Sequence, residues 1–247
     1  MIFSRFQSVR VEVLLFLGLL MSAVVVEAQP PYDDCSLEDF YSSLPADPTT
    51  WKIQQVAELL ASKHRNQVVF SNTDNPGVGD SFAALKDLDA GATIGTSQTV
   101  RLLYQQADTP ANLIGPAGWV QEHIWPQERG LIEGTMAYVD LHNMRPAGFR
   151  SSSSRGSRYF GECYVLEKDG ACEIEPNGME DTCVCSRVFD PNSTAKGVIA
   201  RALMTDCPFD RKTMAYLSQM LQWNTEYDKN RIAEKDRNDK VCRDYQG

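Results

Sequence analysis

The chain has 247 residues, 43% hydrophobic and 9% aromatic. That is enough apolar material for one large or two small cored domains, and it excludes a mainly disordered chain. A formal charge of -9 and a pI of about 4.9 exclude bulk attraction to polyanions, so contact with nucleic acid must rest on a local basic patch or a bound cation.

Residues 1–12 carry Arg5 and Arg10, residues 13–26 are apolar and uncharged, and Val26-Glu27-Ala28 offers small residues for a cut before Gln29. This is the layout of a secretory signal peptide over residues 1–28, with an apolar run short of the ~20 residues of a bilayer span. An uncleaved anchor is the alternative. Asp47-Pro48 supplies an N-cap and a first-turn proline, and Ile53, Val56, Leu59 and Leu60 recur at helical spacing, which predicts a helix to about His64. Residues 71–98 are rich in Gly, Asn, Asp, Thr and Ser and read as loop around a short element at 82–88. Strands are predicted over 100–104 and 119–125, the second ended by Pro126. The four serines at 151–154 read as a loop leading into an element. Residues 160–189 read as a cysteine-stapled hairpin. Beyond Thr194 the pattern turns helical, with one stripe of Ile199, Ala202 and Leu203 and another of Met214, Leu217, Met220 and Leu221. The stretch 226–244 is densely charged with mixed sign, as on a solvated helix face. With no repeat and no clear boundary, residues 29–247 are expected to form one mixed α+β domain.

All seven cysteines lie after residue 28, and four of them fall within 163–185. Export and this count favour disulfides, with one thiol left over. Zinc is the rival reading, weakened by the single spacer in Cys183-Val184-Cys185 and by the lack of a nearby histidine. Asn192-Ser193-Thr194 is an N-glycosylation acceptor pattern, which would place Asn192 on the surface.

The chemistry concentrates between Trp119 and Phe160. Glu122-His123 sets a carboxylate beside an imidazole, and Asp140-Leu141-His142-Asn143-Met144-Arg145-Pro146 follows. Arg145, Arg150, Arg155 and Arg158 then form a basic strip with no acidic residue between Leu141 and Gly161. Taken singly, these residues have bland structural readings. Together they suit phosphodiester hydrolysis. A hard cation takes oxygen from Glu122, a neutral imidazole accepts a proton from water, and guanidinium forks hold phosphates. One geometric objection stands, because adjacent strand residues point to opposite faces, so Glu122 and His123 share one centre only if the strand ends or bulges there.

The ordered set Glu122-His123-Ile124-Trp125-Pro126, Asp140-Leu141-His142-Asn143-Met144-Arg145-Pro146-Ala147 and Ser154-Arg155-Gly156-Ser157-Arg158-Tyr159-Phe160 resembles the core of the endonuclease I family. These are secreted, sugar-non-specific nucleases with a ββα-metal (His-Me) finger. The likeness extends over roughly residues 36–247. It includes Phe40-Tyr41-Ser42-Ser43-Leu44, Ala84-Leu85-Lys86-Asp87, Lys196-Gly197-Val198-Ile199-Ala200-Arg201-Ala202-Leu203, Gln222-Trp223-Asn224 and Arg237-Asn238-Asp239. The resemblance implies a His-Me finger core flanked by helices and a secreted, Mg²⁺-dependent endonuclease acting on DNA, RNA or both with low sequence specificity. His123 is then the general base, Glu122 a Mg²⁺ ligand, and Arg145, Arg155 and Arg158 phosphate-binding. It implies nucleic acid as the partner, no stable protein partner, and no membrane contact after signal cleavage. The family's metal-binding Asn falls at Ser152, its Asp after Lys-Gly at Val198, and 163–185 reads as a Cys-rich insertion. Ser152 motivates an alternative, a catalytically degenerate secreted binding protein on the same fold.

Overall fold

The computed structural model describes residues 42–47, 50, 55, 58–59, 62, 67–71, 80–163, 172–175, 181–206, 217–227 and 231–246, all within the unit Pro31–Gly247. The expected signal peptide 1–28 lies outside them. Of the helix expected to about His64, Gln55, Glu58, Leu59 and Ser62 are helical, and the remainder lies outside the described residues.

Helix α1 (Ser81–Leu88) is N-capped by Asp80, whose Oδ1 accepts from the Ala83 amide at 3.0 Å, and it buries Phe82, Ala84 and Leu85. Strand β1 (Thr99–Arg101) pairs antiparallel with β2 (Asp108–Pro110). The strand expected over 100–104 is thus cut short. The chain turns after Arg101, where Leu102 and Ala107 share a backbone hydrogen bond and Gln106 takes a φ of +50°. Strand β3 (Trp119–His123) pairs antiparallel with β4 (Met144–Gly148), in register from Trp119↔Gly148 to His123↔Met144. Helix α2 (Phe149–Arg155) follows β4 directly.

The serines 151–154 therefore lie in a helix and not in the loop that their low helix propensity predicts. Their hydroxyls find acceptors on Glu175, Glu122 and the Phe149 carbonyl. Gly156, at a φ of +49°, ends the helix in a conformation that costs a side-chain-bearing residue more.

Strands β5 (Tyr159–Phe160), β6 (Glu173–Ile174), β7 (Cys183–Val184) and β8 (Val188–Asp190) form a sheet of order β5-β8-β7-β6, with β5 parallel to β8 and the other pairs antiparallel. The expected stapled hairpin is here. Cys163–Cys183 and Cys172–Cys185 are disulfides, which takes all four cysteines from the zinc reading, since zinc needs thiolates. Cys242 is also disulfide-bonded, and Cys35 and Cys207 lie outside the described residues.

Helix α3 (Ser193–Asp206) packs on α4 (Leu217–Glu226). Helix α5 (Arg231–Lys240) runs into a π-helical turn, Val241–Gln246. The ribbon β3–β4 contributes to two cores. Trp119 and Met144 join Phe82, Leu85, Val100 and Leu141. Ala147, with the flanking Ile124, joins Tyr104, Phe189, Ile199 and Trp223. Burying each large side chain contributes about 1.5–3 kcal/mol.

Two surface expectations and one apolar-stripe position are corrected. Asn192 is fully buried, caps α3 through Oδ1 to the Ala195 amide, and donates from Nδ2 to the Tyr104 carbonyl at 2.7 Å. The nitrogen that would carry a glycan is inside the fold, so Asn192 is a capping residue. Leu221 is 50% exposed, whereas Met220 and Trp223 face the core. The charged stretch 226–244 is not all solvated, because Glu234 and Arg237 are buried.

Candidate active site

Strand β3 ends at His123, and alternation along it turns Glu122 and His123 to opposite sides. The pairing with β4 is regular through His123↔Met144, with no bulge.

On one side, Glu122 is buried beneath α2. Its Oε1 accepts from the Tyr104 hydroxyl at 2.7 Å and from Arg155 Nη1 at 3.2 Å, and its Oε2 accepts from Ser152 Oγ at 2.6 Å. Burial pushes its carboxyl above the ordinary value, opposed by the Arg155 charge and by the Ser152 and Tyr104 hydrogen bonds. Burial, reinforced by the neighbouring Glu122 charge, raises the Tyr104 hydroxyl well above its usual range, so it stays a donor.

On the other side, His123 packs between aromatic rings. Its ring stacks on Phe70 at 5.8 Å and lies 4.6 Å from the Tyr138 ring. Nε2 lies 2.8 Å from the Tyr138 carbonyl oxygen. A carbonyl only accepts, so Nε2 carries the proton and Nδ1 is left with the lone pair. Burial lowers the His123 pKa, with the Tyr138 carbonyl opposing and Arg155 assisting. The neutral imidazole therefore prevails near neutral pH.

Arg155 links the two sides. Besides Glu122, it donates from Nη1 to the His123 carbonyl at 2.9 Å and from Nη2 to the Ile124 carbonyl. The chain leaving β3 is thereby tied to the last residue of α2.

The three arginines expected to hold phosphate have different surroundings. Arg145 is buried and donates to Asp89, which also receives Arg237 through both carboxylate oxygens. Burial and the neighbouring Arg237 charge lower the Arg145 pKa to about 10, so it remains a cation at neutral pH. Arg155 is buried on Glu122. Arg158 is half-buried and donates from Nε to the Cys185 carbonyl and from Nη1 to the Ser154 carbonyl. Arg150 is exposed. His142 pairs with Asp140 at 2.9 Å.

The structure thus brings together Glu122, Ser152 and Arg155. It sets His123 on the opposite side of β3 and places Arg145 against Asp89. Sequence reasoning missed Tyr104, Tyr138 and Phe70. Tyr104 was placed only as a strand residue, and nothing local marks the others. The Tyr138 carbonyl is a backbone group, and Phe70 lies 53 positions before His123 in the numbering.

The oxygens of Glu122 and Ser152 fit a hard cation of the Mg²⁺ kind. Both are oxygen donors of the kind a hard cation takes, and Ser152 Oγ donates to Glu122 Oε2 at 2.6 Å, a hydrogen bond that a cation held by both would replace.

An extracellular ribonuclease of Bacillus amyloliquefaciens is 29% identical over 188 residues, which are 66% of this chain and 60% of that protein, so the chain spans about three-fifths of the relative it matches. The profile of the Endonuclease I family matches residues 66–207, a span that contains β3, β4, α2 and the disulfide hairpin and exceeds half of the sequence, and on that match the chain belongs to the endonuclease I family.

Proposed function

We propose that this protein is a secreted endonuclease that hydrolyses phosphodiester bonds of DNA, RNA or both with low sequence specificity, on a ββα-metal core of β3, β4 and α2. The observation that carries the reading is the state of His123. Its Nε2–H is held by the Tyr138 carbonyl, and burial lowers its pKa. A neutral ring with a fixed tautomer is what a general base needs. Nδ1 accepts a proton from the attacking water, the water oxygen bonds to phosphorus, and the P–O3′ bond breaks. The leaving 3′-oxygen takes a proton from solvent, leaving a 5′-phosphate on the other fragment.

With His123 at the last position of β3, a phosphate at the strand's end would meet its ring from one side and, from the other, the Mg²⁺ that Glu122 and Ser152 would hold and that supplies charge neutralisation when bound. Arg155 holds Glu122 and orients the backbone of His123. Of the three arginines expected at phosphate, Arg158 is the candidate to reach substrate, because Arg145 and Arg155 are buried against carboxylates. Contacts made chiefly to backbone phosphates carry no base information, which accounts for low specificity. Export is supported by the signal-like N-terminus, the disulfides, and the likeness to an extracellular ribonuclease.

The test is degradation of plasmid DNA and of RNA with Mg²⁺ and with EDTA. Cleavage with Mg²⁺ and none with EDTA is expected. No cleavage of either polymer with Mg²⁺, together with retained binding to them, would replace this reading with the degenerate binding protein that Ser152 allows.

A further inference from the structure

The run Phe149-Arg150-Ser151-Ser152-Ser153-Ser154-Arg155 has little reason of its own to be helical. Serine hydroxyls compete for backbone groups, and seven residues fall well below the ~12–15 at which an isolated helix becomes even marginal. Helix α2 has no side-chain N-cap. Its support comes from outside. On one flank, Gln105 Oε1 accepts from the Gly148 amide at 3.2 Å and Nε2 donates to Ser151 Oγ at 2.5 Å. A Cβ on Gly148 would lie 2.6 Å from that Gln105 nitrogen, so glycine permits the close approach.

On the other flank stands Glu175, 2% exposed. Its Oε2 accepts from Ser151 Oγ at 3.0 Å and its Oε1 from Ser154 Oγ at 3.0 Å. Positions three apart share a helix face, so one carboxylate grips α2 at two points that bracket Ser152. Glu175 directly follows β6, and its amide donates to the Thr182 carbonyl at 2.9 Å across the hairpin that Cys163–Cys183 and Cys172–Cys185 close. A buried carboxylate is costly unless hydrogen-bonded, and here both of its oxygens are.

We infer that Glu175 is a positioning residue for the nuclease site: through it, the disulfide-stapled hairpin holds the helix that carries Ser152 and Arg155 in register with Glu122. The inference rests on the nuclease reading above. It gives the 163–185 insertion a role in the site and makes the two disulfides the anchor of that role.

The test compares the full-length protein with Glu175→Ala, Glu175→Gln and Ser154→Ala. Four quantities are measured: kcat and KM on plasmid DNA, Mn²⁺ affinity by electron paramagnetic resonance without nucleic acid, hydrogen exchange of the α2 amides, and the melting temperature. Glu175→Ala should lower kcat by about 10–100-fold, the scale of a small misplacement of reacting groups, with KM little changed. It should also weaken Mn²⁺ binding and speed α2 exchange. Glu175→Gln should stay within about threefold of wild type, because an amide accepts from one serine and donates to the other. Ser154→Ala should fall between them. Reducing both disulfides should reproduce the Glu175→Ala pattern of lowered kcat at held KM.

The inference is overturned if Glu175→Ala lowers the melting temperature yet leaves kcat, Mn²⁺ affinity and α2 exchange at wild-type values below its melt. If Glu175→Ala does not fold, Ser154→Ala decides, and unchanged kcat and exchange there overturn it. If the wild type cleaves nothing, the nuclease reading fails by itself, while Mn²⁺ affinity and α2 exchange still decide the role of Glu175.

Discussion

Glu122 accepts from Tyr104, Arg155 and Ser152, and this crowding shapes what each neighbouring residue can do. Arg155 opposes the burial that raises the Glu122 pKa and favours the neutral acid. His123 is the residue whose removal bears most directly on chemistry. His123→Ala should lose about 10²–10⁴-fold in turnover while the protein stays folded, since the ring packs at the edge of the core. Near wild-type turnover in that variant would remove His123 from the base role. Ser152 is the second decisive residue. A hydroxyl is a shorter arm than an amide, so the cation requirement should be high, and Ser152→Asn should shift the Mg²⁺ titration of cleavage to lower concentration and raise the rate. An unchanged curve from an active wild type would mean that position 152 does not govern the cation. Local sequence was enough to nominate Glu122 and His123, and the family resemblance nominated Ser152. Their partners were not legible, because Tyr104 and Tyr138 act through groups that carry no motif.

Among the elements, α2 and the stapled hairpin differ most in how the sequence announces them. Cysteine density announced the hairpin, because thiols in an exported chain have few other fates. Nothing announced α2, whose serine hydroxyls are met by carboxylates from β3 and from the hairpin and by the Phe149 carbonyl. The hairpin should therefore respond to reduction. A loop of the size closed by Cys172–Cys185, 13 positions apart, contributes about 3 kcal/mol on the chain-entropy account, so reducing agent should lower the melting temperature by several degrees. Thiol titration of the unfolded, unreduced chain should find about one free thiol, as an odd count of seven requires when three bridges form. A melting temperature indifferent to reductant, with seven titratable thiols, would overturn the bridges and weaken the case for export.

At the scale of the molecule, distant segments of the chain are joined through carboxylates at the C-terminal end of α1. Asp89 receives Arg145 from β4 and Arg237 from α5, and Arg237 also donates to the carbonyls of Leu141 and Met144. Asp87 receives Lys240 and the Tyr245 hydroxyl. Partial burial pushes the Asp87 carboxyl up, but the Lys240 and Tyr245 hydrogen bonds outweigh it and hold the pKa below the ordinary value. Because the folded pKa is the lower one, the stabilisation is present above the unfolded pKa of about 4 and lost as pH falls through the folded value. Asp87→Asn should lower the melting temperature by about 1–3 °C at pH 7, the scale of an exposed pair, and the difference should shrink as pH falls below about 4. A difference that does not shrink as the carboxylates are titrated would show that the carboxylate charge is not the link.

The sequence by itself determined the composition class, the α+β reading, the cysteine-stapled segment, and the family through an ordered set of motifs centred on Glu122-His123. Those features are local, because periodicity, turn chemistry and motif spacing are carried within short windows. Only the tertiary structure decided that the serine run is a helix, that Asn192 is a buried cap, and that Arg145 answers Asp89 rather than solvent. It also decided which arginine lies against Glu122. Each of those outcomes depends on a partner from another element, as Arg237 reaches Asp89 across 148 positions. A buried charge or hydroxyl takes its meaning from the group that satisfies it, and that group is chosen by the folded chain.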